Sequence, residues 1–166
     1  HIANEIISKI DAHMTIKVKP LGIIERFNGV DIQQTSNYIK ISNETYINKI
    51  TCQKRLDHIP SHHIPIPMSD NQEPNKCIET AQPLDPPSLT ETEKTFGFTY
   101  RQGIGELLYA MITCRPDISF PLIKLSQYST KPALEHFQAV HGIFKYLKET
   151  KEDGLYYWRA KPRTDR

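Results

Sequence analysis

The chain has 166 residues, 38% of them hydrophobic, enough for one domain or two small lobes. Its formal charge of +2, from 21 Lys and Arg against 19 Asp and Glu, does not by itself imply a nucleic-acid partner. Three cysteines, Cys52, Cys77 and Cys114, make no disulfide framework, no signal peptide opens the chain, and no apolar run reaches the length of a membrane span. A reduced, intracellular chain without a membrane partner is the expectation. The sequence opens without Met inside a helical pattern (Ile2, Ile6, Ile7, Ile10) and closes on a charged tail, so it reads as a piece of a longer protein.

In chain order, residues 4–10 read as the end of a helix. Met14, Ile16 and Val18 alternate as a strand does, and residues 20–22 turn the chain. Residues 23–34 read as a second strand with Phe27 and Gly29 inside it. Gly29 at mid-strand marks a bulge or a close backbone approach, or is a plain packing glycine. Residues 35–37 turn, and residues 38–42 return as a third strand. Ser42 then caps a helix running to about Leu56, with Ile47 and Ile50 as its apolar stripe and Tyr46 beside them.

Residues 60–87 carry seven prolines and almost no periodicity. They predict a long loop, with residues 70–81 the part expected to be disordered. The lobe boundary falls there. The expected segments are 1–42 for the hairpin unit, 43–59 for its helix, 60–99 for the proline-rich loop, 100–150 for a helical bundle, and 151–166 for a terminal strand and tail.

The bundle organises the chain. Ile104, Leu107, Leu108, Met111 and Ile112 form one helical stripe; Ile118, Leu122 and Leu125 form a second; Phe137, Val140, Phe144 and Leu147 form a third. Arg115-Pro116 separates the first two helices. Asp117 or Ser119 caps the second, and a start near Ser119 is preferred because it leaves Pro121 in the first turn. Ser129 or Thr130 is expected to cap the third, with Pro132 in its first turn and Glu135 beside the exposed amides. Leu155 to Trp158 reads as a strand. The fold class is therefore α+β: an N-terminal antiparallel hairpin or small sheet with a flanking helix, then a helical bundle, then a terminal strand.

No complete active site stands in these residues. Cys52, His58, His62, His63 and Cys77 lack the paired spacing of a structural zinc site. Asp11, Asp31, Asp57, Asp117 and Asp153 are scattered, without the adjacent carboxylates of a two-metal centre. Gly103 and Gly105 lie at a helix start with neither a third glycine nor a preceding strand, and read as helix packing. Basic and aromatic residues interleave in the last third, from Lys124 to Lys151, where Lys145 and Lys148 on one helix flank could reach phosphates. Most such flanks are simply solvated.

Arg26-Phe27-Asn28-Gly29-Val30-Asp31-Ile32, then Tyr38-Ile39-Lys40-Ile41-Ser42 and Tyr46-Ile47, resemble the segment after the catalytic centre in copia-type retrotransposon reverse transcriptases. Pro67-Met68, Tyr100-Arg101-Gln102 with Gly105 to Tyr109, Arg115-Pro116-Asp117-Ile118, Leu125-Ser126, Pro132, His136 and Lys145-Tyr146-Leu147-Lys148 follow in that family's order. Gly154-Leu155 to Trp158 is similar to the strand that opens its ribonuclease H region. The likeness spans nearly the whole chain. It implies lower palm, thumb and connection, with Phe27 to Ile32 and its partner strand acting as a primer grip. The residues implied to touch nucleic acid are Phe27, Asn28, Gly29, Val30, Lys40, Lys145 and Lys148. The partners implied are a primer–template RNA/DNA duplex and the remainder of the pol polyprotein.

The tyrosine-x-aspartate-aspartate turn that holds magnesium in that family is not in this sequence, and only Asp165 stands where a first ribonuclease H aspartate would come. The chain alone is therefore expected to hold no cofactor, the magnesium belonging to the parent enzyme, and to lack polymerase activity. A decayed or repurposed helical remnant that binds protein, or nothing, is the alternative.

Overall fold

A computed structural model describes residues 2–13, 23–52, 54, 56 and 78–159. Helix α1 (Ile2–Asp11) stands first. A short strand β1 (Arg26–Phe27) turns into β2 (Val30–Gln34), followed by β3 (Tyr38–Ser42) and helix α2 (Glu44–Thr51). Helices α3 (Pro86–Phe96) and α4 (Tyr100–Thr113), a single 3-10 turn (Pro116–Ile118), α5 (Ser119–Ser126) and α6 (Leu134–Glu149) follow, and strand β4 (Gly154–Trp158) comes last. The fold is α+β, as the sequence predicts. The strand expected at 14–18, the turn at 20–22, the loop residues 57–77, Pro67-Met68, and the tail with Asp165 lie outside the described residues.

The helices enclose the core. Ile47, Leu107, Ile118, Leu122, Leu125, Phe137, Val140, Ile143, Phe144 and Leu147 are fully buried. Each contributes about 1.5–3 kcal/mol by leaving water. Two of the three expected stripes are seen as read. The first is rotated: Ile104, Leu107 and Ala110 face inward, Leu108 and Met111 are half-buried, and Ile112 is 75% exposed. Gly103 sets that rotation. A Cβ there would lie 2.7 Å from the Phe98 ring, so the helix turns its bare backbone to Phe98. Aromatic rings fill the space behind it, with Phe98 5.5 Å from Phe144 and Phe96 5.6 Å from Phe137, centroid to centroid.

Polar groups fix the helix ends. Thr99 accepts from the Gln102 amide at 3.3 Å to cap α4. The buried Tyr100 hydroxyl donates to the Leu125 carbonyl at 2.9 Å and so pins α4 to α5. Burial, with Tyr128 nearby, holds that hydroxyl well above its ordinary pKa, so it remains a donor. Helix α5 starts at Ser119, as preferred.

Three expectations are corrected. The segment read as loop to residue 99 contains α3, which has Asp85 before it, Pro86 and Pro87 in its first turn, and left-handed Gly97 after it. Those are ordinary start and stop signals that the high proline content masked. Helix α6 begins at Leu134, capped by neither Ser129 nor Thr130. The buried His136 ring does that work: Nδ1 accepts from the Ala133 amide at 2.9 Å, and Nε2 donates to the Ile78 carbonyl at 2.8 Å. Helix α2 stops at Thr51, short of Leu56.

The sheet order is β1-β2-β3-β4, all antiparallel. Strand β4 pairs along β3 from Tyr38↔Trp158 to Ser42↔Gly154, so strands on either side of the helical bundle in sequence share one sheet. Helix α2 joins sheet to bundle, packing on β2, α4 and α6. Truncating Leu107 to Ala should cost about 2–5 kcal/mol, as for other fully buried leucines. Truncating Ile112 to Ala, a surface change, should stay within about 0.5 kcal/mol. Urea melts of both variants check the rotation of α4.

Candidate nucleic-acid interface

The expected primer-grip stretch is a tight hairpin, not one strand from 23 to 34. Asn28 has φ 48° and Gly29 φ 80°, the left-handed pair that a two-residue turn of this kind requires. Asn-Gly between Phe27 and Val30 is itself a strong hairpin signal, hidden by treating the segment as continuous. Gly29 is also a close approach. A Cβ there would sit 2.8 Å from the Tyr109 hydroxyl oxygen. That hydroxyl donates to the Asn28 carbonyl and ties the turn to α4. The tether itself leaves no trace in sequence, because its partners stand 81 positions apart.

The base of the hairpin is held by charge. Asp31 on β2 accepts from the Thr45 amide at 2.8 Å and the Thr45 hydroxyl at 2.9 Å, so it caps α2 across space. Arg26 on β1 meets the same carboxylate at 3.0 Å and the Thr45 hydroxyl at 2.7 Å. Burial pushes the Asp31 carboxyl up, but the Thr45 donors and the Arg26 guanidinium outweigh it and hold it below the usual carboxylate range. This cross-strand cap replaces the role expected of Ser42, since Asn43 occupies the cap position without a side-chain bond to the helix.

The turn therefore presents Phe27, 67% exposed, with Asn28 and Gly29 also exposed and Val30 half-buried. Lys40 lies on β3, half-buried, its ammonium 5.6 Å from the Tyr156 ring. Lys145 is half-buried and Lys148 exposed on the last turns of α6. The structure thus groups Phe27 to Val30 at one hairpin tip and sets the two lysines on another element. Helix α6 packs on α2, and α2 on β2.

The other residues of the Arg115-Pro116-Asp117 motif are structural. Arg115 is buried, with its guanidinium on the Asp117 carboxylate at 2.7 Å, on the Thr150 carbonyl at 2.8 Å and on the Thr150 hydroxyl at 2.7 Å. Tyr146 donates to the same carboxylate at 2.8 Å. Burial pushes Asp117 up, and Arg115 and Tyr146 more than reverse it, so it too titrates below the usual range.

Asp31 and Asp117 are thus each engaged with an arginine, a donor set that does not fit a magnesium pair. Among the described residues no three His, Cys, Asp or Glu are grouped to hold a metal, and no helix is long and apolar enough to cross a membrane. Of the cysteine and histidine set weighed for zinc, Cys52 is exposed, while His58, His62, His63 and Cys77 lie outside the described residues.

No protein-family model matches the chain, and no solved structure does. It is similar to the retrovirus-related Pol polyprotein from transposon TNT 1-94 of Nicotiana tabacum, 26% identical over 156 residues, which is 93% of this chain and 11% of that polyprotein. It is 29% identical over 141 residues to the putative transposon Ty5-1 protein of Saccharomyces cerevisiae, covering 84% of this chain and 41% of that protein. It is 28% identical over 130 residues to the retrovirus-related Pol polyprotein from transposon RE1 of Arabidopsis thaliana, covering 78% of this chain and 8% of the polyprotein. The chain spans less than half the length of each of these relatives.

Both depressed carboxyls fix the sign of the acid response. Their stabilisation is present above the unfolded value, about 3.9 for Asp, and is lost as pH falls through the lower folded values. Urea melts from neutral pH downward should show stability falling on acidification. Asp31→Asn and Asp117→Asn should each lower stability at neutral pH and flatten that fall. Unchanged acid limbs in both variants would contradict the assignment.

Proposed function

We propose that this chain, whose homologues are retrovirus-related Pol polyproteins of copia-type transposons, is a substrate-handling part of an RNA-directed DNA polymerase. It positions a primer–template duplex and leaves the metal chemistry to other parts of the polyprotein. The observation that carries this reading is the hairpin tip. A turn of two left-handed residues presents Phe27, Asn28 and Gly29 to solvent while Tyr109 braces it from α4. A braced, exposed backbone turn suits a contact that must hold a strand end in one place, where positioning is the contribution to rate.

The remaining contacts follow from what a translocating enzyme needs. Contacts that slide along a duplex favour phosphate and sugar over base edges. Lys145 and Lys148 supply charge for that on α6, and Lys40 supplies it on β3, opposite Gln33. Gly29 supplies the left-handed backbone that exposes the turn, while the space its side chain would take is filled by the Tyr109 hydroxyl.

Fluorescence anisotropy of a labelled primer–template duplex, titrated with the chain at several salt concentrations, tests the proposal. Weak, sequence-independent and salt-sensitive binding is expected. Replacing Lys145 and Lys148 with Ala should flatten the slope of log affinity against log salt by up to about two units. Gly29→Val should weaken binding without changing that slope, since it alters the turn and no charge. Absence of duplex binding at low salt by a chain shown to be folded would remove the proposal and favour a repurposed remnant.

A further inference from the structure

One face of the sheet gathers aromatic rings at a place the hairpin tip does not use. Directly paired residues of antiparallel strands project to the same side. Tyr38 opposite Trp158 and Lys40 opposite Tyr156 therefore form a block of four. The Tyr38 ring lies 5.3 Å from Tyr156 and 5.4 Å from Trp158, and the Tyr156 and Trp158 rings are 6.4 Å apart with planes only 21° from parallel. Tyr156 is 48% exposed and Trp158 71% exposed.

Rings this open keep much of their apolar area in water, where a flat apolar partner would be favoured. The charge of the face selects the partner. Lys40 stands over the Tyr156 ring at 5.6 Å. The strand carboxylate on the same side, Asp31, is already matched by Arg26 and Thr45. Among the described residues, the rings thus sit beside a cation that no other strand carboxylate offsets.

We infer that this face binds single-stranded nucleic acid, DNA or RNA, with bases stacked on Tyr156 and Trp158 and a phosphate against Lys40. Every base has a flat π face that such rings accept without regard to sequence, whereas a duplex keeps its base faces hidden within the stack. The inference goes beyond the duplex reading and stands without it.

Trp158 is the only tryptophan of the chain, so its fluorescence reports on the face directly. The full chain is titrated with oligo-dT, oligo-rU and an abasic deoxyribose-phosphate oligomer of the same length. Quenching by the two base-bearing strands is expected, with affinity roughly tenfold or more above the abasic strand. Quenching by only one of them upholds the site and shows that it distinguishes the two strands. Tyr156→Ala should weaken binding about 5- to 100-fold, while Tyr156→Phe, which keeps the ring, retains it. Lys40→Gln should reduce the salt slope by about one unit and leave the preference over the abasic strand in place.

No quenching at low salt, equal affinity for the abasic strand, or an unaffected Tyr156→Ala variant would overturn the inference. The abasic comparison uses the unaltered chain and decides the matter even if a variant fails to fold. Quenching by single strands with no duplex binding would uphold this face and end the duplex reading; the reverse result would end this inference alone.

Discussion

A guanidinium held out of water governs how the parts of this protein meet. Arg115 follows α4, yet its donors reach Asp117 in the 3-10 turn and Thr150 just past α6, with the Tyr146 ring 5.3 Å away. A charge in that position is tolerable only because its donors are matched by a carboxylate, a carbonyl and a hydroxyl. Removing one partner leaves the others facing an unbalanced ion. The network fixes where α6 ends, and so where β4 begins. The sheet depends on a helical junction some distance along the chain.

The same economy of polar contacts recurs at each boundary. Lys54, buried beyond α2, donates to Glu106 of α4 and to the Ile50 carbonyl at 2.7 Å, with the Phe144 ring 4.2 Å from its ammonium. Asn43 donates to Thr113 at the far end of α4. Asp31 caps α2 from a neighbouring strand. The bundle interior is mainly apolar, with His136 and His141 also buried in it, and charge appears where one element must be oriented against another. The hairpin inherits its orientation from these joints and from the Tyr109 tether.

The helical bundle was legible in the sequence because amphipathic periodicity is a local property. Phe137, Val140, Phe144 and Leu147 face inward as their spacing predicts. What could not be read there involves partners distant in the chain. The rotation of α4 follows from Phe98 meeting Gly103, the α6 cap from a histidine that also needs the Ile78 carbonyl, and the α2 cap from Asp31. Two local signals were present and outweighed. Asn28-Gly29 lies within a stretch whose β-rich composition favours one continuous strand, and Asp85 to Gly97 overlaps a stretch of seven prolines that favour a loop. The site residues divide in the same way: Phe27 to Val30 cluster because they are neighbours in sequence, while Lys145 and Lys148 stand on another element.

The pairing of β4 with β3 also bears on how the chain reaches its fold. Residues Tyr38 and Trp158 are partners across most of the described chain, with the whole bundle between them. Contacts so remote in sequence raise the contact order and form late, after the loop they close has already lost its freedom. During synthesis the hairpin therefore exists for a time as a three-strand ribbon with Ile39 and Ile41 on an open edge, the arrangement most prone to pairing with a foreign strand. The hairpin precedes the bundle in sequence, yet gains its final neighbour, β4, only after the helices between them have been made.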